Sequence, residues 1–334
     1  MIKVTALTSS RDDPSTRFRV RQFIQPLRAH GVEVAEYYPL FSKYKIEPLP
    51  LLTTLLRVPG LLASRTSDIT WLGRELLSGR FGLERRAGTK RLFDVDDAIW
   101  LVYPHSNFSE EIARASAGVI AGNGFLAAHY EQAGARVWTV PTSIDTSIWQ
   151  PAEKRASERW TIGWTGTWSN LKYLHEIERP LADFLATHAE SRLLVVSDRR
   201  PAFRRIPAAR WSFVQWSPAS EVRAVQEMDA GLMPLADTEW ARGKCAFKML
   251  SYMSVGLPVV ASPFGVNREI LHAHEVGFAA TDDDGWHEAL LRLHDDRALA
   301  RRLGRNGRTV VEQHFSVEVN AVKLAAIFRE VAAE

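Results

Sequence analysis

Residues 241–269 read Ala241-Arg-Gly-Lys-Cys-Ala-Phe-Lys-Met-Leu-Ser-Tyr-Met-Ser-Val-Gly-Leu-Pro-Val-Val-Ala-Ser-Pro-Phe-Gly-Val-Asn-Arg-Glu269. Gly243 opens a helical pattern in which Lys244 and Lys248, four residues apart, share one face, and Ser251 continues it. Phe247, Leu250 and Met253 form a neighbouring apolar stripe. Two cations in the first turns of a helix oppose its dipole unless an anion lies between them and the free N–H groups. After Gly256 the pattern changes to a buried strand, Leu257–Ala261, and then to a turn through Pro263 and Gly265. The stretch therefore predicts helix, strand, loop and helix, with positive charge gathered where a diphosphate docks.

Working outward, the same alternation covers the chain. Strand patterns occur at Ile2–Ser9, Val32–Tyr38, Ile69–Leu72, Arg91–Val95, Gly118–Ala121 and Val137–Val140, with helices between them, clearest at Arg17–His30, Ser109–Ser116 and Phe125–Ala133. Pro141–Pro151 has no periodicity and reads as a linker. Six more strands are expected at Trp160–Trp164, Arg192–Ser197, Trp211–Gln215, Gly231–Pro234, Leu257–Ala261 and Val276–Ala279. Helices are expected at Leu171–Thr187, Ser220–Met228, Gly243–Val255, Trp286–His294, Arg297–His314 and Val317–Ala332. This rhythm predicts an α/β chain of two doubly wound domains, with ligands at the carboxyl ends of the strands and an active cleft between the domains.

A length of 334 residues suits two cores. The net charge of +3, from 42 basic and 39 acidic residues, argues against nucleic acid as a partner. Cys245 is the only cysteine, so no intrachain disulfide forms and a reducing, cytoplasmic setting is expected. No spaced ligand set of the HExxH or CxxC kind occurs, and no metal is expected. The N-terminus runs directly into a strand pattern, without the features of a signal peptide. The most apolar stretch, Leu49–Ala63, is interrupted by Arg57, Pro59 and Gly60 and reads as helix and loop packed on the core. The alternative reading is a peripheral membrane contact, flanked by Lys43, Lys45, Arg57 and Arg65.

Several short motifs, taken together, resemble one family. These are the Lys-x-x-x-Lys segment, Tyr252-Met-Ser-Val-Gly-Leu-Pro-Val-Val-Ala-Ser-Pro263, Gly265-Val-Asn-Arg-Glu-Ile270, Gly163-Trp-Thr-Gly166 and Phe315-Ser316. The first half adds Ser15-Thr-Arg-Phe-Arg19, Phe93-Asp-Val-Asp-Asp97, Gly122-Asn123 and Val140-Pro-Thr-Ser-Ile-Asp145. In this order they resemble the retaining glycosyltransferases of family four, over nearly the whole chain. The resemblance implies the GT-B fold, two Rossmann-like domains facing a central cleft. It implies an acceptor-side domain over residues 1–145 and a nucleotide-sugar domain over 146–316. A C-terminal helix, 317–334, would return to the N-terminal domain and pack across the two.

What the resemblance implies for function is transfer of a sugar from a nucleoside diphosphate donor to a hydroxyl acceptor (a saccharide, a lipid-linked sugar or a small molecule). No resident cofactor is implied. Lys244 and Lys248 are then the candidate diphosphate cations, with Lys172 a further one. The family's Glu-x7-Glu pair falls here on Gly243 and Ser251. Neither carboxylate is present; Ser251 retains one hydroxyl, and Asp237 or Glu239 lies just upstream. Asp96 stands where the family has a catalytic histidine.

Three carboxylates within four residues, Asp94, Asp96 and Asp97, exceed what a helix cap needs, and their crowding raises a pKa. Arg17 and Arg19 form a second cation pair suited to phosphate or an anionic acceptor. Gly166, between Thr165 and Thr167, fits a tight turn at phosphate, and Gly265, Val266 and Asn267 open a helix whose N–H groups suit an anion. Ser197–Arg200 and Gln215–Ser217 lie where the family holds the base. Two other readings remain at this stage: a non-catalytic sugar-nucleotide-binding subunit, which the missing acid pair favours, and a sugar-nucleotide epimerase of the same architecture.

Overall fold

The computed structural model describes residues 1–39, 50–88, 90–153 and 159–334. The chain divides into two units. The first comprises Met1–Ser143, Gly243–Cys245 and Ser316–Glu334, and the second Ile144–Arg242 and Ala246–Phe315.

The first unit is built on β1 (Ile2–Leu7), β2 (Val32–Tyr37), β3 (Ile69–Gly73), β4 (Arg91–Val95), β5 (Gly118–Ala121) and β6 (Val137–Thr139). They form one parallel sheet in the order β2-β1-β3-β4-β5-β6. Successive side chains enter opposite cores: Trp71 and Leu92 join Val4, Phe23 and Phe328, whereas Leu72 and Phe93 join Leu7, Phe108 and Tyr130. Both faces are therefore buried, as a parallel sheet requires. The helix Val317–Ala333 closes one face through Val317, Ala321, Leu324, Phe328 and Val331, a spacing of four and three. Ser316 caps it, and Phe328 packs edge-on against Trp71 at 5.2 Å.

In the second unit, β7 (Trp160–Thr165), β8 (Ser191–Ser197), β9 (Trp211–Gln215), β10 (Ala230–Met233), β11 (Val259–Ala261) and β12 (Gly277–Ala279) pair in the order β12-β11-β10-β7-β8-β9, again parallel. Leu193, Val195 and Val260 face one core, and Leu194, Val196, Val259 and Ala261 the other. The order reverses between β7 and β10. Such a reversal opens a crevice at the carboxyl ends of the two strands.

Three expected helices differ from their patterns. Leu171–Thr187 breaks at Ile177 into Leu171–Glu176 and Glu178–Thr187. Pro180 lacks the N–H that a continuous helix needs there, and Glu178 turns inward to accept the amides of Arg204 and Arg205. Arg17–His30 is wound in three pitches: a π turn at Thr16–Val20, a 3-10 turn at Arg21–Phe23 and an α-helix at Ile24–Ala29. Gly243–Val255 is not one helix. A turn at Glu239–Arg242 stops, Ala246 takes a left-handed conformation (φ 54°), and the helix restarts at Phe247 and runs to Ser254.

The apolar stretch expected to be interrupted runs as one helix, Pro50–Ser64, through Pro59. Arg57 is not a flanking surface cation, because it is buried and donates through Nη1 to the Thr8 carbonyl. Burial lowers its pKa to about 10 despite the nearby Glu84 and Glu75. Lys43 and Lys45 lie outside the described residues. Among the described residues, no helix is long and apolar enough to cross a membrane.

Candidate functional site

Each sheet gathers chemistry at its carboxyl edge. In the second unit β7 ends at Thr165, whose amide donates to the Tyr252 hydroxyl at 2.9 Å; that hydroxyl donates in turn to the Leu232 carbonyl. Gly166 follows. A Cβ there would lie 2.7 Å from Lys248 Cε and 2.8 Å from the Trp164 ring, so only glycine admits both. Lys248 stands in the first turn of the helix Phe247–Ser254, with its ammonium 5.2 Å from the buried Trp164 ring. An ammonium over an indole face, in the first turn of a helix, concentrates positive potential. On the next turn of chain, Thr167 accepts from Asn170, and the Trp168 amide donates to Asp198 at 2.6 Å. Trp168 is half exposed, with the Arg199 guanidinium 4.5 Å above its ring. Trp164 is thus the core member of the pair and Trp168 the solvent-facing one. Lys172 projects from the helix Leu171–Glu176 over Tyr173.

Gly265, at φ 53° and ψ −136°, opens the helix Val266–Ala273. Its Cβ position lies 2.8 Å from the Arg242 carbonyl. First-turn amides of a helix have no intrahelical acceptor, so Val266 and Asn267 present N–H groups. The Asn267 side chain does not join them. It is buried and donates to the Ser262 carbonyl at 3.1 Å. Ser251, expected to offer a hydroxyl to the ligand, is also fully buried and donates to the Phe247 carbonyl one turn back. Of the two upstream acids, Asp237 pairs with Arg242 at 3.0 Å and Glu239 is exposed.

In the first unit the acidic triplet divides its labour. Asp94 is buried against Arg19 at 2.8 Å and accepts from the Trp71 indole at 3.2 Å. Burial pushes the Asp94 carboxyl up, and Arg19 pulls it back. Arg19, although burial works against its charge, is raised by Asp94. The two shifts favour opposite protonation states for the pair, and the short contact with the extra indole donor decides for the ionised one. Arg19 also donates to the Val140 carbonyl at 2.7 Å. It serves as the counterion that the buried Asp94 requires, where the sequence suggested a ligand for phosphate or acceptor, and its buried Nη2 has no hydrogen-bond partner among the described residues. Arg17 is half-buried against Phe18.

Asp96 accepts from Ser15 Oγ at 2.5 Å, and its other oxygen, Oδ1, has no hydrogen-bond partner among the described residues. Burial, and then the neighbouring Asp97, raise its pKa to about 6. Asp97 receives Lys244 Nζ at 2.9 Å, with Arg74 at 3.7 Å. The segment Gly243–Cys245 is fastened here. Asn123 caps the helix Gly124–Gln132 and donates to the carbonyls of Gly243 and Lys244. Cys245 Sγ donates to the Asp96 carbonyl at 3.2 Å, and a Cβ on Gly122 would collide with it at 2.5 Å. Burial, then Asp96, push the Cys245 thiol up to about 12, so it is not a nucleophile. Lys244 and Lys248 hence do not share a helix face. Lys244 neutralises Asp97 within the first unit, and Lys248 lies in the second.

Residues 159–296 match the family model described as glycosyl transferases group 1. The matched stretch runs from the threshold of β7 to the end of the helix Asp283–Asp295. It contains Gly166, Lys248 and the Gly265 turn. The chain as a whole is similar to sucrose-phosphate synthase from Thermosynechococcus elongatus, at 13% identity, with 100% of both chains covered and a TM-score of 0.75. It is also similar to HepE from Anabaena in complex with UDP-glucose (14% identity, 99% of this chain and 100% of that one, TM-score 0.69). WaaG, a glycosyltransferase involved in lipopolysaccharide biosynthesis, shares 13% identity over 98% of this chain and 99% of its own, with a TM-score of 0.68. At such identities the likeness shows the fold: two Rossmann-like units of the GT-B type. No curated protein matches the sequence.

Two residues at the carboxyl edge of the first unit escaped the sequence reading. Arg74, in the left-handed region at φ 68°, sets its guanidinium beside Asp97. Glu75 lies next to it at 3.7 Å and is buried. The only signal was their position directly after β3, which with β1 flanks the point where the strand order of the first sheet reverses.

Proposed function

We propose that this protein transfers a sugar from a nucleoside diphosphate donor to a hydroxyl acceptor, with retention of anomeric configuration and without a metal ion in the transfer step. The observation that carries the reading is Lys248 poised over Trp164 above the Gly166 turn, a positive centre in the first turn of a helix. As the glycosidic bond breaks, charge grows on the departing diphosphate. Lys248 and the first amides of the helix Val266–Ala273 would stabilise it in place. Trp168, with Arg199 over one face of its ring and Asp198 on its amide, offers a platform for the base. UDP is the first base to test, since HepE, a solved relative in fold, was crystallised with UDP-glucose. On the acceptor side we assign Asp96, whose open oxygen is able to orient or deprotonate a hydroxyl. Lys244 is better read as the residue that positions Asp97. Incubation of the protein with UDP-sugars, a panel of hydroxyl acceptors and a chelator tests the reading. A glycoside of retained configuration is expected. Hydrolysis alone, an isomerised donor, or dependence on added divalent metal would contradict it.

Asp96 also sets a pH dependence. Its folded pKa of about 6 exceeds that of the free side chain, so the folded state binds its proton more tightly. The stability contribution of this group is complete below the free value, near 3.8, and is lost as pH rises through about 6. Activity that needs the carboxylate runs the other way and rises through that pH. The measurement is a kcat/KM profile, in which Asp96→Asn should abolish the acid limb along with most of the turnover.

A second reading, donor binding without transfer, is favoured by the loss of Ser251 and Lys244 as ligands. Calorimetric binding of UDP-sugar with no product from any acceptor would establish it.

We also propose a cytoplasmic setting in which the helix Pro50–Ser64 rests on an anionic membrane. Leu52, Leu55, Val58 and Leu62, spaced three, three and four apart, are all exposed, and Arg65 follows them. Sedimentation with vesicles containing anionic phospholipid should pull down the protein, and Leu55→Ser/Leu62→Ser should release it. Retention by the double variant would remove this proposal.

A further inference from the structure

Away from the donor site, the amino edge of the second sheet carries a cluster that the transfer reaction does not use. His188 caps the carboxyl end of the helix Glu178–Thr187, and Asp295 ends the helix Asp283–Asp295. One donor atom each from His188, His294 and Asp295 lies within 4.8 Å of the others. The imidazoles are held in place. His188 stacks on Phe184 at 4.3 Å and 11°, and its Nδ1 faces the Phe184 carbonyl at 3.0 Å. A carbonyl only accepts, so Nδ1 carries the hydrogen and Nε2 keeps its lone pair. His294 packs edge-on against Trp160 at 5.4 Å. Its Nε2 lies 2.6 Å from Glu190, and its Nδ1 lies 2.8 Å from Asp295.

The arrangement at His294 is the informative one. A neutral imidazole owns one N–H, yet a carboxylate stands at each nitrogen. With a single ring hydrogen given to Glu190 from Nε2, the Nδ1 lone pair faces the Asp295 carboxylate, a contact that either a second ring proton or a metal ion held between them relieves. A carboxylate on the outer nitrogen of a ligating histidine is the usual support of a metal site, since it fixes the tautomer and raises basicity. Two helix carboxyl ends meeting there add partial negative charge. Arg297, near Asp295 and Glu190, is the opposing cation, and it is drawn over the Trp160 ring.

We propose that His188, His294 and Asp295 bind a divalent transition-metal ion such as Zn²⁺, with Glu190 supporting His294 and water completing the shell. Two imidazoles and one carboxylate suit zinc or nickel better than magnesium or calcium. The site lies at the edge of the sheet opposite Lys248 and Gly166, so the ion is a staple. It ties the end of the helix Glu178–Thr187 to the end of Asp283–Asp295 and takes no part in transfer. The inference does not depend on the proposed donor chemistry.

The test uses the full chain after dialysis against chelator, titrated with ZnCl₂ by calorimetry and followed by thermal unfolding, with MgCl₂ as the comparison. One Zn²⁺ per chain with micromolar dissociation is expected, and a midpoint higher by about 5 °C at a hundredfold excess over Kd. Magnesium should do neither. His188→Gln and Asp295→Asn, chosen because neither removes the His294 ring from its packing against Trp160, should each weaken zinc binding tenfold or more and leave the metal-free midpoint unchanged. Absence of saturable zinc binding, or equal affinity in the double variant, overturns the assignment.

Discussion

Lys248→Ala is expected to lower kcat about 10²- to 10³-fold, the usual effect of deleting one fixed charge that stabilises a departing anion. Donor affinity should fall less, because the helix amides at Val266 and Asn267 remain and bind ground state and transition state alike. The structural consequence is small. Lys248 is half-buried, and its contact with the face of Trp164 is worth about 1 kcal/mol. Steady-state kinetics beside a urea melt separates the two effects. Turnover equal to that of the wild type would end the assignment of Lys248 to the diphosphate, whereas unfolding of the variant would show that the lysine serves packing instead.

The second large effect concerns stability. Arg19→Met should destabilise the protein by roughly 3–5 kcal/mol, since it leaves Asp94 buried with only the Trp71 indole as donor and frees the Val140 carbonyl. Arg19→Met/Asp94→Leu, which removes both charges, should recover much of that loss. Urea midpoints at constant m-value are the measurement. A single variant within about 1 kcal/mol of the wild type would show that the pair is not a buried charge couple.

Much of the architecture was legible in the chain. Twelve strand patterns became twelve strands among the described residues, because a parallel strand buried on both faces needs a short apolar run, and alternation between cores leaves a recognisable mark. Gly166 and Gly265 announced tight backbone at carboxyl ends. The Phe93–Asp97 run announced a crowded acidic site, and Asp96 with its raised pKa is where that crowding is felt.

The fates of individual polar side chains were not legible in the same way. Helix spacing placed Lys244 beside Lys248, but the backbone turns left-handed at Ala246. The amide of Asn123 and the carboxylate of Asp97, more than a hundred residues away in sequence, hold Gly243–Lys244 out of the helix. Ser251 was correctly placed on that helix and wrongly expected to face a ligand, since a serine can return its hydroxyl to the carbonyl one turn back. Arg19 had the composition of a phosphate ligand and became the counterion of Asp94. Periodicity is a property of neighbours along the chain, so the sequence alone determined which strands form and the α/β rhythm that joins them. Whether a given charge meets solvent, ligand or an opposite charge depends on partners distant in sequence, and only the tertiary structure decided that.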